Sequence, residues 1–283
     1  MRCLVLGGTG RVGSTLLTAC FRRGLPHLGT YHRRYEPDLD PLDLLDTDSL
    51  SALVADYQPE AIFYSAPAGM PDALEGAIAA AETNGSKLIY FSGDGVLGEC
   101  RVAKREDDPP KPIGELAEWQ AAGETMLRDR LPESHLIIRT SRVYGGACRS
   151  EPARSIRKTL AKGRTWAADT VRFTMPTYAP DLAEVTLDLL KHGHTGTFHV
   201  VGPEKHTDFS FARMIAHVCD LDADLIEPLT EEGDSRPVNV NLDRFKVRSL
   251  FGANAVRTVG AALRAMREER GLMLPMRIAA RAA

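Results

Sequence analysis

Gly7, Gly10 and Gly13 recur at intervals of three in Gly7-Gly8-Thr9-Gly10-Arg11-Val12-Gly13. The apolar run RCLVLGG leads into them, and RVGSTLLTACFRRG follows, with Val12, Leu16, Leu17, Cys20 and Phe21 at helical spacing. Glycines at such a place let a chain turn tightly out of a strand and pass close to a ligand. The helix that follows then offers free N–H groups and partial positive charge. The chemistry suited to that geometry is the binding of a pyrophosphate by Gly7, Thr9, Gly10, Arg11, Val12 and Gly13. A ligand-free tight turn would use the same residue types, but the strand–turn–helix setting favours the binding turn. The next strand, HLGTYH, runs into His32, Arg33 and Arg34. A carboxylate there would bond the ribose 2′-hydroxyl of NAD; two arginines suit the 2′-phosphate of NADP instead, so NADP(H) is expected ahead of NAD(H), with Arg11 in support. Asp43 and Leu44 fall in a loop that would reach the adenine, and Ser65, Ala66 and Pro67 would lie along the cofactor. Tight packing accounts for those small side chains equally well.

The elements that must hold these residues are legible from periodicity. Strands are expected at 2–8, 27–32, 60–66, 87–93, 134–141 and 196–202, and helices at 11–24, 46–59, 71–85, 113–130, 150–162, 174–193, 208–220 and around 255–268. Strands alternating with helices imply right-handed crossovers. The fold class is therefore α/β: a doubly wound parallel (Rossmann) sheet with a smaller C-terminal substrate-binding lobe. Residues 1–145 plus about 178–202 are assigned to the dinucleotide-binding domain, and 146–177 plus 203–283 to a substrate or partner lobe.

Bulk properties exclude several classes. The 283 residues carry a net charge of −3, which gives no general attraction to nucleic acid or anionic lipid. No apolar run approaches the ~20 residues of a membrane span. Five cysteines without CxxC spacing suit free thiols in a reducing compartment, and no metal site is expected. His192 and His194 show no ligand spacing with acids or cysteines. With the first strand starting at once, a cytoplasmic protein is expected.

The segments GGTGRVG (7–13), DLLDTDSL (43–50), KLIYFSGDGVLGE (87–99), EDDPPKP (106–112), RTSRVYG (139–145), PTYAPDLAEV (176–185) and RPVNVNLD (236–243) occur in an order that resembles the extended short-chain dehydrogenase/reductases. More narrowly, the chain resembles the dTDP-4-dehydrorhamnose reductase group, which includes the regulatory β subunit of methionine adenosyltransferase. The resemblance implies a Ser/Thr, a Tyr and a Lys as catalytic set. With Asp94 set on the family Asp and Glu124 on the Glu that closes Tyr-Gly-x-Ser/Thr-Lys-x-x-Gly-Glu, the interval fits without gaps. The three positions then fall on Gly93, Leu116 and Gln120.

In that family the Tyr gives a proton to the alkoxide left by hydride transfer. The Lys, one helical turn on, lowers the Tyr pKa and bonds the nicotinamide ribose. Leu116 has no proton to give, and Gln120 can bond a ribose but carries no charge. Asp94 is the one family-matched ionisable residue left as a catalytic candidate. Glu99, Cys100, Lys104, Glu115, Glu118, Tyr144 and Tyr178 are further stand-ins, each more readily explained as structural. Arg142, Arg236 and Asn239 are expected on the substrate side, with Arg172 as an additional phosphate contact. Three readings follow: a non-catalytic, NADP-binding regulator of a partner enzyme; an enzyme of altered chemistry on a nucleotide sugar or similar small molecule; or an ordinary reductase whose proton donor lies elsewhere. A homodimer is compatible with each.

Overall fold

The computed structural model describes residues 1–67, 69–146, 151–230 and 237–268. Its elements, in chain order, are β1 (Cys3–Leu6), α1 (Arg11–Arg22), β2 (His27–Tyr31), β3 (Asp40–Pro41), α2 (Thr47–Tyr57), β4 (Ala61–Tyr64), α3 (Pro71–Asn84) and β5 (Lys87–Gly93). A 3₁₀ turn at Asp94–Leu97 precedes α4 (Glu115–Arg130), β6 (His135–Thr140), β7 (Val143–Tyr144), α5 (Pro152–Leu160), β8 (Trp166–Asp169) and β9 (Thr177–Tyr178). Then come α6 (Ala179–Lys191), β10 (Gly196–His199), α7 (Asp208–Val218), β11 (Ile226–Leu229), α8 (Phe245–Phe251) and α9 (Val259–Glu268).

Seven strands form one parallel sheet in the order β10-β6-β5-β4-β1-β2-β3. The fold class is as expected. The chain winds outward from β1 through β2 to β3, then crosses back to β4 and winds the other way. Strand order thus reverses between β1 and β4, and a crevice opens at their carboxyl ends. Helices cover both faces, so the central strands are apolar without alternation: every residue of β1 and β4 is buried. One face packs Leu16, Leu17 and Cys20 of α1 and Leu182 and Leu189 of α6 on the sheet. The other packs Leu50 and Val54 of α2, Leu74 and Ile78 of α3, and Leu127 of α4.

Caps and turn residues set the element limits. Asp46 accepts from Ser49 N at 3.0 Å and Ser49 Oγ at 2.7 Å to open α2. Gly85, at φ +70°, closes α3 in the left-handed conformation. A separate core joins α5, α7 and α9 to the two-stranded sheet of β8 and β11, around Tyr144, Tyr178 and Phe211. α8 leaves that lobe and lays Val247 in the sheet-side core. β3, the 3₁₀ turn and the β8–β11 pair were not expected individually. Two- to four-residue elements are too short for a hydrophobic period, and β3 even contains Pro41, tolerable only because it is an edge strand.

Candidate functional site

The glycine turn lies at the point where strand order reverses. Gly7, at φ +86°, turns the chain out of β1. Gly8 N donates to Thr30 O at 2.7 Å, and Gly10 N to Gly7 O at 3.1 Å. Gly13 is the tightest position: a Cβ there would stand 2.3 Å from Gly7 O and 2.7 Å from Ser65 Oγ. Gly10 occupies the cap position of α1 with extended backbone and no side-chain cap. The N–H groups of Arg11, Val12 and Gly13 are therefore left to face an anion, as a pyrophosphate requires. Thr9 is half-buried beside them.

Around this turn the expected contacts divide. Ser65 supports the turn, donating to Leu6 O at 2.7 Å and to Gly7 O at 3.3 Å. Ala66 is half-buried, Pro67 is exposed, and Ala68 lies outside the described residues. Arg33 and Arg34 are exposed and form no ion pair among the described residues, so both remain available to a phosphate. His32 Nδ1 stands 3.8 Å from Asp43 Oδ1. Asp43 also accepts from Leu45 N at 3.0 Å. The Leu44 side chain is in the core with Leu6 and Leu50, which leaves only its backbone for a ligand. Arg11 reaches the other way, donating from Nη1 to Val143 O at 3.1 Å.

The register of α4 is held by a buried ion pair. Arg139 on β6 donates from Nε to Glu124 Oε1 at 2.9 Å and from Nη2 to Oε2 at 2.7 Å, with both side chains out of contact with solvent. Arg128 adds 2.7 Å to the same carboxylate. Burial alone would push the Glu124 carboxyl up; the hydrogen bonds and charge of Arg139 reverse this and hold it below the ordinary carboxylate value. Arg139 Nη1 also donates to Glu106 O at 3.2 Å and meets His199 Nε2 at 3.4 Å. Glu106 Oε1 accepts from His199 N at 3.1 Å. The sequence signal for this network is an ionisable residue inside each apolar strand, Arg139 in HLIIRTS and His199 in GTFHVVG.

Leu116, Gln120 and Glu124 stand four residues apart and share one face of α4. Glu124 is the buried end. Gln120 packs directly on Gly93: a Cβ on Gly93 would meet Gln120 Oε1 at 2.6 Å and Nε2 at 3.1 Å. Leu116 is at the open end, 59% exposed. The Trp119 ring covers Gly69 in the loop after β4, where a Cβ would be 2.4 Å from it.

Asp94 adjoins this line but is engaged. Burial pushes its carboxyl up, against opposing hydrogen bonds from the Ser141 hydroxyl and Gly95 N–H. Ser141 Oγ in turn accepts from Met175 N at 3.0 Å. The other stand-ins lie elsewhere. Tyr144 and Tyr178 are fully buried in the second lobe, their rings 5.7 Å apart. Glu115 and Glu118 are solvent-exposed. Glu99 accepts from Val238 N at 2.9 Å and Asn239 N at 3.2 Å. Cys100 is buried, its thiol pushed up by burial and its Sγ 3.1 Å from Gly98 O.

On the substrate side Arg142, at φ +35°, pairs with Asp208 and lies 5.2 Å from the Phe211 ring centre. Arg172 pairs with Asp169 at 2.5 Å. Asn239 Oδ1 accepts from Lys205 Nζ. Arg236 lies outside the described residues. No group of three His, Cys, Asp or Glu side chains among the described residues could hold a metal ion, and no helix among them is long and apolar enough to cross a membrane.

The parallel sheet, the glycine turn at its reversal point and the α4 register define an extended short-chain dehydrogenase/reductase scaffold. Within that class the chain belongs to the family described as RmlD substrate binding domain, whose model matches residues 1–270. It is 27% identical over 276 residues to methionine adenosyltransferase 2 subunit beta of Bos taurus, covering 88% of this chain and 82% of that one. It is 31% identical over 261 residues to the "Probable low-salt glycan biosynthesis reductase" of Haloferax volcanii, covering 84% and 86%. A crystal structure of a hypothetical dTDP-4-dehydrorhamnose reductase from Sulfolobus tokodaii superposes with a TM-score of 0.77 at 25% identity, covering 89% of this chain and 95% of that one.

Proposed function

We propose that this protein binds NADP(H) at the Gly7–Gly13 turn and acts as a non-catalytic, regulatory member of its family, serving a partner enzyme rather than turning over a substrate. The observation that carries this reading is that Gln120 and Leu116 share one face of a helix whose register Glu124 and Arg139 pin, with Gln120 packed on Gly93 at the end of β5. Gln120 fills the space beside Gly93, and Leu116, where the family resemblance puts the proton donor, is a hydrocarbon. Loss of a general acid alone costs about 10²–10⁴ in rate. NADP(H) is favoured over NAD(H) by Arg33 and Arg34, which are exposed and form no ion pair among the described residues. The relation to methionine adenosyltransferase 2 subunit beta supports a partner enzyme of that kind.

A second reading, an altered enzyme acting on a nucleotide sugar or similar small molecule, is favoured by Asp94, whose carboxyl is pushed toward the protonated form beside Gly93. Its existing bonds to Ser141 and Gly95 make it the weaker reading.

Fluorescence titration with NADPH tests the first reading. Stoichiometric binding is expected, with no NADPH oxidation on keto-sugar nucleotides. Arg33→Ser should weaken NADPH by about tenfold and leave NADH nearly unchanged. The triple variant Gly93→Ser, Leu116→Tyr, Gln120→Lys should gain a measurable reductase rate. Robust oxidation by the unaltered chain, abolished by Asp94→Asn, would establish the second reading instead.

A further inference from the structure

A second cavity, of about 160 Å³, lies within the lobe built by α5, α7 and α9, and none of its lining residues belongs to the glycine turn or to α4. Ile215, Leu263 and Met266 give it an apolar floor, and Arg154, Arg157 and Arg267 stand around it. Arg154 and Arg157 share a face of α5 one turn apart, and Arg267 closes in from α9.

Among the described residues the three arginines are unequally partnered. Arg267 is satisfied, with Asp220 at 2.9 Å and Val218 O at 2.8 Å. Arg154 has Glu151 no nearer than 4.0 Å, and the Glu151 carboxylate is already taken by the N–H groups of Gly145, Ala153 and Arg154. Arg157 forms no ion pair among the described residues, and the Nε atoms of both Arg154 and Arg157 are buried with no hydrogen-bond partner. A buried donor with no hydrogen-bond partner is unfavourable, and so is the Arg157 guanidinium beside an apolar hollow with no counter-charge among the described residues. One kind of ligand relieves both: an anionic head beside the arginines with a small apolar body on the floor. A cavity of about 150 Å³ is large enough for a benzene ring.

We infer that this cavity binds a small organic anion, a phosphate ester or carboxylate carried on an apolar body, with Arg157 as its principal contact.

Calorimetric titration of the full chain with phenyl phosphate, benzoate and inorganic phosphate tests this. Arg157→Met, Ala161→Phe and Arg33→Ser are measured in parallel, and thermal melts confirm that each folds. Ala161 lines the cavity from an exposed position, so the bulkier side chain blocks the mouth without disturbing the core. At least one organic anion should bind one-to-one, about tenfold or more weaker in Arg157→Met, not measurably in Ala161→Phe, and unchanged in Arg33→Ser. Four results would overturn the assignment: no saturable binding of either organic anion at millimolar concentration, binding indifferent to both cavity variants, inorganic phosphate binding as tightly as phenyl phosphate, or loss of binding in Arg33→Ser alone. The last would place the anion at the glycine turn and leave the dinucleotide reading intact.

Discussion

Single residues decide the chemistry here, and the deciding ones are small. Gly13 is held against Gly7 O so closely that even a methyl group must displace backbone. Gly13→Ala is therefore expected to cost about 1–3 kcal/mol in stability by denaturant titration and to weaken NADPH binding at least about tenfold. Gly10→Ala, where the nearest atom would be Gly7 O at 3.3 Å, should retain most of both. The glycine pattern was readable in the sequence because backbone conformation restricts residue type directly. The roles of Ser65, Arg11 and Arg142 were not, since each is settled by a partner distant in the chain: Leu6 O, Val143 O and Asp208. Gly93 belongs to both groups. Its lack of a hydroxyl was plain from the sequence, while its contact with Gln120 came only from packing. That contact involves the flexible end of a side chain, so a hydroxyl restored at Gly93 can be accommodated.

At the scale of elements, α4 is held by what its C-terminal half buries. Its own sequence is weakly amphipathic, and its N-terminal cap, Gly114, makes no side-chain cap bond. The Glu124–Arg139 pair supplies the missing specification, joining the helix to β6 by two parallel hydrogen bonds. Glu124→Ala leaves Arg139 charged and buried without its partner. The expected loss is about 3–5 kcal/mol in chemical denaturation, far above that of an exposed pair. Arg128→Ala, which removes a half-exposed partner of the same carboxylate, should cost about 1 kcal/mol or less by the same measurement. Most long elements were legible because their periods repeat over several turns. β3, β8 and β11 were not, because such short strands exist through their neighbours.

For the whole molecule, the same network makes stability depend on pH. His199 lies where β10 meets β6, and burial first, then the adjacent Arg139 charge, lower its pKa from 6.5 to about 4. The unfolded chain therefore binds this proton more readily than the folded one, and stability falls as pH drops from about 6.5 toward about 4. The loss from this residue amounts to up to about 3 kcal/mol. Stability curves measured between those pH values should flatten in His199→Asn relative to the unaltered chain. Unchanged slopes would mean that the imidazole is not held neutral.

The sequence by itself determined the parallel α/β architecture, the glycine turn that starts it and the absence of any Tyr or Lys within α4, because periodicity, backbone-restricted residues and residue identity are local properties. Only the tertiary structure decided that Gln120 lies against Gly93, that Asp94 meets Ser141, that Tyr144 and Tyr178 are buried in the core of α5, α7 and α9, and that Arg154 and Arg157 border a cavity with Nε atoms that find no hydrogen-bond partner among the described residues. Each of these depends on side chains brought together across long stretches of chain, and no spacing along the sequence encodes such a meeting.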